Sequence, residues 1–222
     1  MKRTKLSDRV LPDYTKGEEI FNMVTHIVGG ALGIAALCLC VIFAAMHGNT
    51  AGVLSGIVFG VSMILLYTMS SIYHGLTTNT SKKVFQVLDH CTIYFLISGT
   101  YTPLLVCGIR PVDPVACWVT FGIVWGLTAL AVTLTAIDLE RYKLFSMICY
   151  LGMGWCIIFS IRTAYIALGP ALFWLLLAGG IFYTIGAVLF KIGAHRRYFH
   201  SIFHIFVLLG SICHTFCVFG VM

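Results

Sequence analysis

Residues 199–204 read FHSIFH: two histidines four apart at the head of an apolar run that continues to the last residue. Positions i and i+4 share one face of a helix, roughly a turn apart, so His200 and His204 can reach one ion at about 2.0–2.1 Å. His74, at the end of another apolar run, supplies a third imidazole from a facing helix. Three histidines with an open fourth position make the pattern of catalytic zinc, and a water held there is acidified to a pKa of about 7. Asp89 is the carboxylate placed to orient that water, take its proton and pass it to a leaving group. Ser70 lies four residues before His74 on the same face, where its hydroxyl can hydrogen-bond a substrate carbonyl or orient a ligand. An isolated HxxxH carries little information, so the elements that position these residues must be considered.

The chain has 222 residues, of which 59% are hydrophobic and 10% charged. Soluble domains carry about 25% charged residues, so the composition is that of a membrane protein. A spanning helix needs about 20 mostly apolar residues. Seven such runs occur, at about 22–46, 51–75, 85–108, 114–136, 143–165, 171–191 and 200–221. The expected fold is all-α, a seven-transmembrane-helix bundle occupying 22–222 as a single domain, preceded by a short cytoplasmic tail, 1–21. The basic start is no signal peptide, because the apolar run behind it is too long and has no convincing cleavage site. With the N-terminus cytoplasmic, Lys2, Arg3, Lys5, Arg9, Lys16, Lys82, Lys83, Arg141, Lys143, Lys191, Arg196 and Arg197 fall on that side, and only Arg110 and Arg162 on the other. That bias sets the N-terminus inside and the C-terminus outside. The net charge of +6 then reflects topology and anionic headgroups. No basic run is interleaved with aromatics, which excludes a nucleic-acid partner.

This topology brings the chemistry together. Span 2 ends inside, where His74 lies; spans 3 and 7 begin inside, where Asp89 and the His200–His204 pair lie. Asp89 reads as the one carboxylate within a span, since Glu18 and Glu19 precede the first. A charge at the membrane centre costs about 2.5–3.5 kcal/mol, so such a residue is a functional candidate. Its structural alternative is a carboxylate favouring a helix N-terminus. His90 projects about 100° away from Asp89 and reads as a supporting or headgroup residue. His26 lies near the same level and is a candidate support. His47 and His195 read as surface, His214 as packing or hydrogen bonding, and Arg162 as snorkelling to headgroups.

The nine cysteines are scattered without a CxxC pair and read as buried free thiols. Pro103, inside span 3, is expected to kink it. The pairs Gly29/Gly33, Gly56/Gly60 and Gly122/Gly126 have the GxxxG spacing that lets helices approach closely in lipid. Packing within the bundle is the expectation for each, with a homo-oligomer as the alternative.

The segments GEEIFNMVTHIVGG (17–30), SSIYH (70–74), LDHCTIYFLISGTYTP (88–103) and HSIFH (200–204) together resemble the hemolysin III branch of the progestin and adipoQ receptor family. The resemblance covers nearly the whole chain. The family is also similar to alkaline ceramidases, which share the SxxxH, Asp and HxxxH set. The resemblance implies seven spans, an inside N-terminus and zinc near the cytoplasmic leaflet. His74, His200 and His204 are the implied ligands, Asp89 the residue holding the water, and Ser70 a support. It further implies hydrolysis of a lipid amide, lysis of red cells, and regulation of membrane lipid fluidity. The short tail lacks the long N-terminal region of the adiponectin receptors, so hormone binding is not carried over. The compact build looks bacterial, and the expected location is the cell membrane.

Two functions of different class follow. In the first, the protein is a zinc-dependent hydrolase of a lipid amide or ester, active in membrane lipid homeostasis, with membrane lipids as its partners and a bundle cavity admitting the acyl chain. In the second, it is a non-enzymatic sensor, receptor-like signaller or haemolytic pore whose zinc is structural, with Asp89 closing the site as fourth ligand. Haem fits less well, because its axial ligands must approach from opposite faces of the ring.

Overall fold

A computed structural model describes residues 3–77, 79–193 and 196–222. Lys2, counted above for orientation, and His195, read as surface, lie outside the described residues. Among the described residues all regular structure is helical: α1 (Lys16–Met46), α2 (Thr50–Gly75), α3 (Thr80–Pro103), α4 (Pro114–Ile137), α5 (Leu139–Gly154), α6 (Ile161–Ile192) and α7 (Phe199–Phe219). Short polar residues start most of these helices. Asn49, Asn79, Asp113 and Asp138 each accept a hydrogen bond from a backbone N–H of the first turn, replacing a partner that a helix start lacks. At α1, Thr15 and Glu18 cap each other reciprocally, in a capping box. The helix therefore starts ahead of the apolar run at 22–46, and Glu18 and Glu19 lie inside it.

The molecule is apolar outside and polar within. Ile20, Ile27, Ile34 and Ile42 of α1 are exposed, as are Val115, Trp118 and Val119 of α4. The side of α1 turned inward carries Glu18, Asn22, His26, Gly29, Gly33, Ala36, Cys40 and Ala44, a stripe at spacings of three and four. Buried hydroxyls bond between helices: Tyr94 with Thr135, Thr135 with Ser146, and Tyr67 and Tyr183 with Ser211. Such an inverted surface is stable only in lipid. The stretch Thr80–Ile109, which contains α3, is the most buried of the long helical stretches among the described residues.

Small residues set the closest approaches. A side chain at Gly60 would put its Cβ 2.5 Å from Leu37 Cβ and 2.7 Å from Leu37 Cα; one at Gly33 would come within 3.1 Å of Met63 Cβ and the Ile64 backbone nitrogen. The α1–α2 seam thus uses both of its glycine pairs as expected. Gly122 and Gly126 differ: nothing lies within 4 Å of either added Cβ, because their face of α4 points away from the bundle. Pro103 does not stop α3. The chain continues as a π-helix, Leu104–Ile109, a wider coil suited to the loss of a backbone donor and the bulk of the proline ring.

Six helical stretches among the described residues are long and apolar enough to cross a bilayer, the longest being Leu139–Ile192 with 54 residues. That stretch contains a 3₁₀ segment, Cys156–Ser160, and a break at Gly169, whose φ of 70° and ψ of 168° suit a residue without a Cβ. Pro170 follows. The two limbs lie against each other: Trp155 Nε1 donates to Thr184 Oγ1 at 2.9 Å, and the rings of Tyr165 and Phe173 are 5.1 Å apart.

Residues 3–15 cross one end of the bundle. Arg3 Nε donates to the Ile137 carbonyl at 2.7 Å, Thr4 N–H to Asp138 Oδ2 at 2.8 Å, and Lys83 Nζ to the Ser7 carbonyl at 2.7 Å. The α4–α5 junction and the start of α3 therefore share this end with the N-terminal segment. The start of α7 shares it too, since Tyr198 N–H donates to Glu18 Oε1 at 2.6 Å. Asn49 Nδ2 donates to the Met222 carbonyl at 3.0 Å, which sets the α1–α2 turn beside the C-terminus at the other end.

Candidate metal centre

The head of α7 is fixed by an unusual residue. Tyr198 has a left-handed backbone, φ 62° and ψ 0°, which costs a non-glycine residue about 1–2 kcal/mol. It is held there by Glu18, whose carboxylate also accepts from Thr15 and Arg197. This anchor aims the first turn of α7, with His200 and His204, at the end of α2.

The three ligand atoms of His74, His200 and His204 all lie within 4.8 Å of one another. His200 Nε2 is 3.4 Å from His74 Nε2 and 3.0 Å from His204 Nε2. A tetrahedral zinc with bonds of about 2.0–2.1 Å separates ligand nitrogens by about 3.3 Å, so the convergence fits that ion. His74 is prepared for the role. Its Nδ1 donates to Glu19 Oε2 at 2.6 Å, which fixes the tautomer and leaves the Nε2 lone pair facing the other two rings. Glu19 is itself held by Lys82 Nζ at 2.7 Å, and Lys82 also donates to the Leu76 carbonyl at 2.9 Å. One carboxylate of α1 thereby joins a histidine of α2 to a lysine of α3.

Glu19 was not among the expected site residues. Placing it before the first span hid it, although the stripe of polar and small residues from Glu18 down α1 is periodic. His26, the candidate support, stacks on His204 with ring centroids 3.7 Å apart and planes at 15°. Both its nitrogens, and both polar atoms of Asn22 one turn earlier, are buried without hydrogen-bond partners. Unpaired buried polar atoms cost about 1–3 kcal/mol each, and a cluster of them marks a place where water or a ligand is expected. Tyr14 covers the other side, its ring stacked on His200 at 4.9 Å and 20° and lying 5.8 Å from the ring of His74.

Asp89 and Ser70 line the same cavity as His26, His200 and His204. Asp89 is 9% exposed, and Ser70 Oγ is buried without a partner. Asp89 does not belong to the group of ligand atoms that all lie within 4.8 Å of one another. The cavity measures about 180 Å³ and runs along the bundle between apolar walls that include Leu66, Ile97, Leu104, Leu168, Leu176 and Phe203.

His90, His47 and His214 stay outside the cluster. His90 Nδ1 donates to the Gln86 carbonyl at 2.8 Å. His47 is exposed at the opposite end, and His214 is buried, its Nε2 donating to the Leu176 carbonyl at 3.0 Å. All nine cysteines are free.

A family profile described as "Haemolysin-III related" matches residues 14–215. The chain is 41% identical over 201 residues to the protein named Hemolysin-3 from Bacillus cereus, covering 90% of each chain. It is 39% identical over 205 residues to the Hemolysin-3 homolog of Bacillus subtilis (strain 168), covering 92% of this chain and 94% of the relative. A more distant likeness, 26% over 220 residues, links it to the Adiponectin receptor protein of Drosophila melanogaster, covering 88% of this chain and 49% of that one.

Proposed function

The chain belongs to the haemolysin-III-related family, and from that premise we propose that it is a zinc-dependent hydrolase of lipid amide or ester bonds acting within the membrane. It is a multi-pass membrane protein. We propose seven passes with the N-terminus inside. A run of 54 residues would be about 80 Å long as one helix, far beyond a hydrocarbon core of about 30 Å. The break at Gly169 and the pairing of Trp155 with Thr184 support two passes there.

The observation carrying the functional reading is the convergence of His74, His200 and His204 beside a cavity that His200 and His204 line together with Asp89 and Ser70. Zinc, when bound, supplies Lewis acidity and a water acidified towards neutral pH. The protein's own groups do the rest. Asp89 orients the water and holds its proton for the leaving group. Ser70 Oγ, buried in the cavity lining, donates to the substrate carbonyl. The apolar cavity walls hold the acyl chain and keep other water away from the carbonyl. An open fourth position distinguishes a catalytic site from a closed structural one, and three histidines alone form the group of mutually close ligand atoms, which favours the catalytic reading.

The test begins with zinc per protein, by mass spectrometry, on protein purified in detergent without added metal. One zinc is expected in the wild type and far less in His204→Ala. Fatty acid release from a lipid amide is then expected to stop in Asp89→Asn while zinc stays bound. Equal or absent zinc in the first two proteins would sink the metal reading. Zinc without lipid turnover would leave a structural site.

A further inference from the structure

We propose that residues 3–15 form a latched strap, with Tyr14 as the stopper that closes the three-histidine site to the aqueous phase at the N-terminal end of the bundle. The consequence for metal exchange rests on the zinc reading above; the closure itself does not.

The strap is tied along its whole length. Arg3 and Thr4 bond the α4–α5 junction, Lys83 holds the Ser7 carbonyl, and Arg9, itself only 7% exposed, donates to Gln86 Oε1 at 2.9 Å. At its far end Arg197 donates to the Asp13 carbonyl at 2.7 Å and to Glu18 Oε2 at 3.3 Å. These ties bring the Tyr14 ring onto His200 and beside His74. Among the described residues, the one other ring stacked on the cluster is His26, which rests on His204. Tyr73, Phe190 and Phe203 meet the three rings only at a tilt or edge-on, so the stacked coverings are a fixed one on α1 and one on a segment outside the helices.

The strap is built to lift. Its ties are polar, and the Arg197–Asp13 pair is exposed on both sides. Exposed ion pairs contribute little each, the single 3₁₀ turn Leu6–Asp8 buries no residue, and Arg9 is the one buried tie. A segment with few buried apolar contacts opens locally while the bundle stays folded. An ion also needs such a route. The long cavity is walled by leucine, isoleucine and phenylalanine, which suit an acyl chain and exclude a hydrated divalent cation. Lipid and ion would then reach one site from opposite directions, and the strap controls only the aqueous one.

The test is the rate at which diethyl pyrocarbonate modifies each histidine in full-length, metal-free protein in detergent, read by peptide mass spectrometry. His74 and His200 are expected to react about fivefold faster or more in Tyr14→Ala and in Arg197→Gln. Tyr14→Phe, which keeps the stacked ring, should match the wild type. His47, exposed at the other end, should react alike in all four proteins. Equal rates at His74 and His200 in wild type, Tyr14→Ala and Arg197→Gln would overturn the strap. A second arm adds one equivalent of zinc. Zinc should protect both histidines, and excess chelator should remove that protection faster in Tyr14→Ala than in the wild type. No protection in any variant would sink the metal reading and its exchange route, leaving closure judged on the metal-free rates. Protection lost at equal rates in wild type and Tyr14→Ala would overturn the exchange route.

Discussion

Glu19 leaves His74 with one free nitrogen, and that nitrogen faces His200. Removing the orienting partner of a metal-bound histidine lowers affinity about 10–100-fold. Glu19→Gln keeps the shape and an acceptor but loses the charge that Lys82 and His74 share. It is expected to weaken zinc binding about tenfold or more, measured by competition with a chromogenic chelator, while the protein stays monodisperse in detergent. Unchanged affinity would show that His74 is oriented by the bundle alone. The contrast with the histidines explains what the sequence reveals at this scale. His74, His200, His204, Asp89 and Ser70 were legible because ionisable and hydroxyl groups at one depth of an apolar chain are rare. Glu19 and Tyr14 were not, because they sit among the polar residues that precede any span, where a charge or a phenol is ordinary. Their role depends on where α1 starts and how the segment before it turns, which hydropathy does not report.

At the scale of elements, the α1–α2 seam and the outer face of α4 carry the same glycine spacing and opposite consequences. Gly60 meets the Leu37 side chain and backbone, whereas Gly122 and Gly126 meet nothing. Overpacking costs about 1–3 kcal/mol where neighbours cannot give. Gly60→Val is therefore expected to lower the melting temperature in detergent by several degrees, and Gly122→Val to leave it unchanged. A loss at Gly122 would place a further chain against that face. The strap has its own sensitivity, at Asp138. The backbone N–H of Thr4, and after it that of Arg141, hold the Asp138 carboxyl below its ordinary value of 3.8. A depressed folded value means the contribution is complete above that ordinary value and is lost as pH falls through the lower, folded one. Hydrogen exchange of residues 3–15, corrected for intrinsic rates, should therefore rise relative to pH 6 as the medium is taken below pH 4. Asp138→Asn should remove that rise. The helices were readable from apolar runs, but their capped starts at Thr15, Asn79 and Asp138 lie ahead of those runs and were not placed. The π continuation after Pro103, the left-handed Tyr198 and the path of the strap were not, since each is fixed by contacts between residues far apart in the chain.

For the whole molecule, the number of passes decides whether the site can form at all. The histidines of α7 meet His74 and the carboxylate of Glu19 only if the start of α7 returns to the end that holds the N-terminal segment, and Glu18 bonding Tyr198 requires that return. From the α4–α5 junction, tied to the same segment through Thr4 and Asp138, the chain must therefore leave and come back before α7 begins. The stretch Leu139–Ile192 is the only chain available for that excursion, and the break at Gly169 lies near its middle. Seven passes are therefore expected, with the two termini on opposite sides; six passes would put them on one side. The distribution of Lys and Arg makes the cytoplasm the expected location of the N-terminal side. Reporter fusions separate the cases. An alkaline phosphatase, active only outside, should be active when joined after Met222 or inserted after Gly169, and inactive when inserted at Asp138. Activity at Asp138 together with silence at Met222 would reverse the orientation and keep the bundle. Silence at both Gly169 and Met222 with the N-terminus inside would mean six passes, and would separate the two halves of the proposed metal site by the thickness of the membrane.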